Sequence, residues 1–427
     1  MTPMDNRQTV YINYKRLMVF ILSLVVVIIN IRIPFLSHST SIIPPLYFYS
    51  ELFVLVVLLF LNLFLYRSFK LNKLFVLIIL YYLSLYISCI INKNDISSVS
   101  AFFITVFSLL LLMNITWKKY YQQFISAMVF FLVFITVANT VVALLLYPNA
   151  LYLNSTGRPV CFLLGEDNAS INMYLLAFGA CTVKAYMNKR TFDVDLLLSA
   201  VNLAVFSAIR DSAGGIACSA ILIILLVISF TTRITIKAKW LMVSMAVALV
   251  VFVILQQFRI FERFIALYLH RNDTLSGRTL LWSSAVKMIK EKPLIGYGAF
   301  SSQNLGYAIQ SNATLTPHNT YLANLIAGGA ISFSFFSAIL LRLAKSVDER
   351  ASTRDSGLLV IGLSIPLIHA QIEGSDSMTI LLQVILLYYL LIGEANGYNL
   401  SRITNNGYEP REGKNERISN RRGRLHW

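Results

Sequence analysis

Twelve apolar stretches recur along the chain, near residues 17–36, 46–66, 74–91, 96–116, 124–147, 168–187, 194–210, 212–230, 240–258, 319–341, 357–371 and 377–393. A helix that crosses a bilayer takes about 20 such residues, and backbone facing hydrocarbon must satisfy its own hydrogen bonds. The expected fold is therefore all-α: a polytopic integral membrane protein of about twelve transmembrane helices. Charged residues make up 13% of the sequence, against about a quarter in soluble domains, which excludes an ordinary soluble fold.

The basic residues orient these helices. With the N-terminus inside, 25 of the 36 Lys and Arg fall on cytoplasmic segments, as the positive-inside rule requires. Residues 1–16 then form a cytoplasmic N-terminus, 17–393 a helical membrane domain and 394–427 a basic cytoplasmic tail expected to be disordered. The interval 259–318 becomes a long extracytoplasmic loop between helices nine and ten. The first apolar stretch follows Lys15-Arg16 as a signal peptide would, but it has no small-x-small cleavage site and reads as an uncleaved helix. The net charge of +16 is accounted for by orientation and contact with anionic lipid, so no nucleic-acid partner is implied. Cys89, Cys161, Cys181 and Cys218 stand singly, without metal-ligand spacing.

Polar residues gather at a few places. Glu51 lies inside an apolar stretch, where a carboxylate is costly; local pairing near the outer boundary explains it as well as catalysis does, and Arg32 invites the same reading. The interval Tyr147 to Ser170 reads as an outer loop ending in Gly165-Glu166-Asp167-Asn168, with Asp167 or Asn168 expected to cap the next helix. Ser207 to Gly215 must turn tightly between two helices and holds Arg210 at the turn. Asp211 beside it is positioned to pair with Arg210 or to weaken its charge. A plainer use of Arg210 is snorkelling to lipid headgroups.

The long loop carries its own structure. From Arg278 to Lys292, Leu281, Trp282, Ala285, Met288 and Ile289 recur at helical spacing opposite Lys287, Lys290 and Lys292, with Ser276 or Gly277 as a start signal and Pro293 as a stop. Pro293 to Gly298 is a turn by composition; its glycines suit a turn or a backbone approaching a ligand. Pro317-His318-Asn319 opens the tenth apolar stretch, with Asn319 or Thr320 as cap. Near the end, His369 reads as a buried histidine, and Glu373 and Asp376 flank another outer turn.

Taken together, Gly277-Arg278, Trp282, Pro293 to Gly298 and Pro317-His318-Asn319 resemble the bacterial O-antigen ligase and O-antigen polymerase family. The resemblance extends to a Ser-Arg-Ser-Gly motif near Arg210, from which Ile209-Arg210-Asp211-Ser212 departs by the inserted Asp211. It implies a membrane glycosyltransferase of cell-surface polysaccharide synthesis with a helical C-type architecture. The donor would be an undecaprenyl-pyrophosphate-linked glycan in the outer leaflet of the cytoplasmic membrane, and the acceptor a glycan or glycolipid. A flippase and a chain-length regulator are implied partners, with the bilayer itself. Arginine forks suit phosphate oxygens, which assigns Arg210 and Arg278 to the pyrophosphate. Histidine accepts protons near neutral pH, which assigns His318 to the acceptor hydroxyl. Glu166, Asn168, Asp211, Asn319 and Glu373 are supporting candidates, Glu373 as a group that orients His318.

The chain shows no DxD pair or carboxylate cluster on the outer side, so an inverting reaction without metal or other cofactor is expected. Whether the glycan passes to the next repeat unit, as in a polymerase, or to lipid A core or protein, as in a ligase, stays open; widespread use of such proteins in capsule and exopolysaccharide systems favours the polymerase. A flippase or transporter fits twelve helices, yet neither repeated halves nor matched broken helices are evident in the sequence.

Overall fold

A computed structural model describes residues 14–39, 42–65, 72–154, 157, 160–189, 193–231, 237–255, 278–299, 317–349, 356–373 and 377–395. The helices are α1 (Tyr14–Asn30), α2 (Pro34–Ser39), α3 (Ile43–Phe60), α4 (Lys73–Ile91), α5 (Ser97–Thr116) and α6 (Tyr121–Leu146). After them come α7 (Asp167–Met187), α8 (Val194–Ile209), α9 (Ala213–Thr231), α10 (Ala238–Ala248), α11 (Arg278–Glu291), α12 (Thr320–Asp348), α13 (Ser356–Ile372) and α14 (Ser377–Ala395). Two π-helical turns, Leu61–Leu65 and Leu249–Ile254, extend α3 and α10. One hairpin of two-residue strands, β1 (Cys161–Phe162) and β2 (Gly165–Glu166), precedes α7.

Helix is present in each of the twelve apolar stretches among the described residues, and the architecture is that of an all-α, multi-pass membrane protein. Among the described residues, six helical stretches are both long and apolar enough to cross a bilayer: Ile43–Phe64, Lys73–Ile91, Ser97–Thr116, Tyr121–Leu146, Ala213–Thr231 and Thr320–Asp348. Shorter apolar helices run over Val194–Ile209, Ala238–Val251, Gly357–Ile372 and Met378–Ile392. The N-terminus before Tyr14, most of the interval between α10 and α12, and the tail after Ala395 lie outside the described residues.

Packing separates an inner set of helices from an outer one. Along α7, Ile171, Leu175, Phe178 and Val183 are buried, and the described side chains of α13 and α14 are buried almost throughout. Helix α13 packs on α7 and α9, α14 on α7 and α12, and α4 along α12. By contrast α3 and α9 expose Phe53, Val56, Phe60, Ile223, Ile224 and Val227, apolar faces suited to lipid. The internal carboxylate of Glu51 is fully buried and paired: Arg32 donates from Nε to Oε1 at 2.7 Å and from a terminal nitrogen to Oε2 at 2.6 Å.

Helix α12 is broken at Gly329, whose φ of 61° and ψ of −163° are not helical. The two helical bonds that Ala330 and Ile331 would make to Ile326 and Ala327 are replaced. Ala330 N donates instead to Pro293 O at 2.8 Å and Ile331 N to Leu294 O at 3.2 Å, while Tyr297 N and Gly298 N donate to Ile326 O and Ala327 O, both at 2.8 Å. The turn 293–298 thus plugs into the break, and a Cβ on Gly329 would meet Leu294 O at 2.3 Å. Ser88 and Asn92 of the α4 end clasp the same turn through Ile295 O and Gly296 O. Its glycines approach the protein's own backbone, Gly296 against Ile326 O and Gly298 against Cys89 Cα.

Candidate functional site

Two clusters of polar side chains stand close together, one around His318 and one around Arg210. Asn319 caps α12, its Oδ1 accepting from Leu322 N at 2.9 Å, and its Nδ2 donates to Gln371 O at 2.8 Å. On the other side of the histidine, the buried Trp282 indole donates to Pro317 O at 2.8 Å. Pinned between these neighbours, His318 is held at φ 46°, a left-handed conformation that costs a non-glycine residue about 1 kcal/mol. Its Nδ1 lies 2.9 Å from Glu373 Oε2, and it keeps about a quarter of its side chain exposed (26%) where Glu373 keeps 6%. A carboxylate there favours the tautomer with the proton on Nδ1 and the lone pair on Nε2.

Arg210 follows the last turn of α8 and is largely buried, at 9% side-chain exposure. Its partners are distant: Asp167 Oδ2 at 3.7 Å and Pro148 O at 3.5 Å. Its Nε is buried with no hydrogen-bond partner among the described residues. The guanidinium carbon sits 4.7 Å from the centre of the Phe162 ring. The carboxylate beside Arg210 is thus that of Asp167; Asp211 follows with a left-handed backbone, φ 49°, and an exposed side chain.

Asn168 stitches the turn to α7: Ser212 Oγ donates to its Oδ1 at 2.8 Å and accepts from Gly215 N at 3.3 Å. Neither Asp167 nor Asn168 is the cap residue of α7. Glu166 occupies that position without a side-chain capping bond, because its carboxylate accepts from Asn154 Nδ2 at 3.1 Å on the exposed side of the hairpin. Asp167 instead bonds the adjacent Asn168 N at 2.8 Å.

The clusters meet at Gly214. A Cβ there would stand 3.1 Å from Glu373 Cγ, so the tight turn after Arg210 leaves room for the carboxylate that holds His318. Glu373 and Arg210 also both lie within electrostatic reach of Asp167. The structure therefore brings His318, Asn319 and Glu373 together and sets Arg210, Asp167 and Asn168 beside them, while Glu166 is turned to Asn154. Arg278 is the first residue of α11, four residues before Trp282; its side chain, Ser276, Gly277 and Asp376 lie outside the described residues. The expected stripe on α11 is buried apart from the half-buried Ile289, with Trp282 and Ala285 fully enclosed, and Lys287, Lys290 and Lys292 are exposed. His369 is buried.

Asp167, Phe162 and Pro148 are the neighbours of Arg210 that sequence reasoning did not select. Asp167 adjoined the singled-out Glu166 and Asn168, whereas an aromatic in an apolar run gives no signal. Cys161 beside Phe162 is not a reactive thiolate: burial, with help from Glu166 and Asp167, pushes its thiol up to about 11. Among the described residues, no three His, Cys, Asp or Glu side chains are grouped to hold a metal ion.

A helical multi-pass architecture thus carries a histidine–carboxylate pair beside a buried, under-satisfied arginine. Residues 197–337 match the family model described as O-antigen ligase, which supports assignment of the chain to the O-antigen ligase and polymerase family and indicates a function of that type. The matched stretch includes Arg210, Gly214, Trp282, the 293–298 turn and His318; Phe162, Asp167 and Glu373 fall outside it. A search of the curated proteins finds no significant match.

Proposed function

We propose that the chain is an inverting glycosyltransferase of the cytoplasmic membrane that works at its outer face, moving an undecaprenyl-pyrophosphate-linked oligosaccharide onto a sugar hydroxyl. The observation that carries this reading is the His318–Glu373 pair standing one glycine away from the Arg210 turn, inside and beside the region matched to the O-antigen ligase family. His318 Nε2 takes the proton of the acceptor hydroxyl as its oxygen bonds to the anomeric carbon, and Glu373 stabilises the resulting imidazolium through Nδ1. The bond from that carbon to the pyrophosphate oxygen breaks with its electron pair left on the oxygen, and the departing undecaprenyl pyrophosphate, its terminal phosphate now doubly charged, is taken by Arg210, with Arg278 as its second cation. Two guanidiniums offset the two charges that the donor brings and the His318 imidazolium the one that departure adds, so the transfer is proposed to need no metal.

The acceptor is proposed to be the next lipid-linked repeat unit, which makes the protein a polysaccharide polymerase working with a flippase and a chain-length regulator. The description of the matched family favours a second reading, a ligase that delivers the glycan to lipid A core or protein. Purified protein in lipid, given the lipid-linked repeat unit and EDTA, is expected to form a ladder of products, and His318→Ala is expected to lose at least about a hundredfold in rate. A single transfer to supplied lipid A core or glycoprotein acceptor replaces the polymerase with the ligase. Undiminished transfer by His318→Ala, or none by wild type with any acceptor, sinks the reading.

A further inference from the structure

Under the guanidinium of Arg210 lies a side chain with neither charge nor hydrogen-bonding group. Phe162 is wholly buried, and its ring is the end of an aromatic column. It meets Phe206 edge-on, centroids 6.3 Å apart and planes at 86°, and Phe206 stacks on Tyr174 at 4.7 Å and 20°. The Tyr174 hydroxyl is fixed in turn by Asn139 Nδ2 at 3.1 Å, Thr140 Oγ1 at 2.8 Å and Thr136 O at 3.0 Å. Asn139 then returns to the hairpin, its Oδ1 accepting from Leu164 N at 2.9 Å. The column begins and ends on the hairpin and passes through α6, α7 and α8. Strands of two residues are too short to fix a ring alone; this loop of contacts does so.

The support matters because the polar contacts of Arg210 are loose. One carbonyl and one carboxylate stand at 3.5 and 3.7 Å, and Nε has no partner among the described residues. A guanidinium resting on an aromatic ring is held by the negative face of that ring and keeps its N–H donors for other acceptors.

We propose that Phe162 is a positioning residue for the pyrophosphate of the lipid-linked donor: it holds the Arg210 guanidinium in place while leaving its donors available to phosphate oxygens. The proposal rests on the assignment of Arg210 to that pyrophosphate. Phe162 itself touches no reacting atom.

Binding of undecaprenyl pyrophosphate alone to the full chain in lipid nanodiscs tests it. Phe162→Leu is expected to weaken binding by about threefold to thirtyfold, the range of a cation–π contact, with Phe162→Met in its place if the leucine variant does not fold. Phe162→Trp is expected to bind within about twofold of wild type. In an Arg210→Ala background, Phe162→Leu is expected to change nothing further, because the two residues act as a unit. Equal losses in the Leu and Trp variants, or a leucine loss that persists without Arg210, overturn the proposal and leave Phe162 a packing residue. Wild-type affinity in Arg210→Ala alone overturns the pyrophosphate assignment, and the proposal falls with it.

Discussion

Arg32 and Arg210 each follow the end of a helix and each face a carboxylate from a neighbouring segment, yet the two pairs are built differently. Arg32 closes on Glu51 with two bonds of 2.7 and 2.6 Å, and the carboxylate is fully buried. Arg210 stands 3.7 Å from Asp167, rests on Phe162 and leaves Nε without a partner among the described residues. The first pair is saturated and joins the chain after α1 to α3. The second is under-satisfied although more of its arginine is buried, an arrangement that is poor for stability and good for receiving an anion. Residue type and proximity to a helix end do not distinguish the two; the number and length of hydrogen bonds do.

Substitutions at the two arginines should therefore separate stability from function. The largest effect on folding is expected from Arg32→Ala, which leaves the Glu51 carboxylate buried and alone. A loss of about 3 kcal/mol is expected, at the low end for a buried pair because Arg32 keeps one face in water, read as thermal unfolding in nanodiscs. Arg210→Lys reverses the pattern: undecaprenyl pyrophosphate binding drops by about tenfold to a hundredfold as a fork becomes a point charge, while the unfolding midpoint moves little. A midpoint that falls as far as that of Arg32→Ala would erase the contrast. The smallest effect belongs to Asp167→Asn. Neutralising this competitor is expected to tighten binding by up to about fivefold, the most an ion pair this loose contributes, most visibly at low salt. Weaker binding in this variant would mean that Asp167 orients Arg210 instead of competing for it.

Much of the fold was legible because single residues carried the signal. Apolar stretches became helices, the stripe from Leu281 to Met288 became the buried face of α11, and Asn319 became a cap. The Glu51 carboxylate announced a partner by its cost, and Arg32 was a near candidate. Features that depend on two distant segments were not legible. Gly328-Gly329 read as part of an uninterrupted apolar stretch, since the turn that replaces its helical bonds lies some thirty residues upstream. The same separation hid Asp167 from Arg210: residues 167 and 210 meet only because α7 and α8 pack side by side. The His318–Glu373 pair is the exception: the sequence already offered Glu373 as the group that orients His318, and the packing of α12 with α13 places the two in contact.

The break at Gly329 also sets how His318 is mounted. A continuous helix of 29 residues behaves as a lever, so any tilt imposed on its far end swings the residue at its tip. Interrupted at its tenth residue and clamped there by the 293–298 turn and the α4 end, α12 is two short beams sharing a bracket. Bilayers differ in thickness, and helices tilt to match them. With the bracket between them, a tilt of the beam beyond Gly329 is not passed rigidly to the beam that carries the histidine.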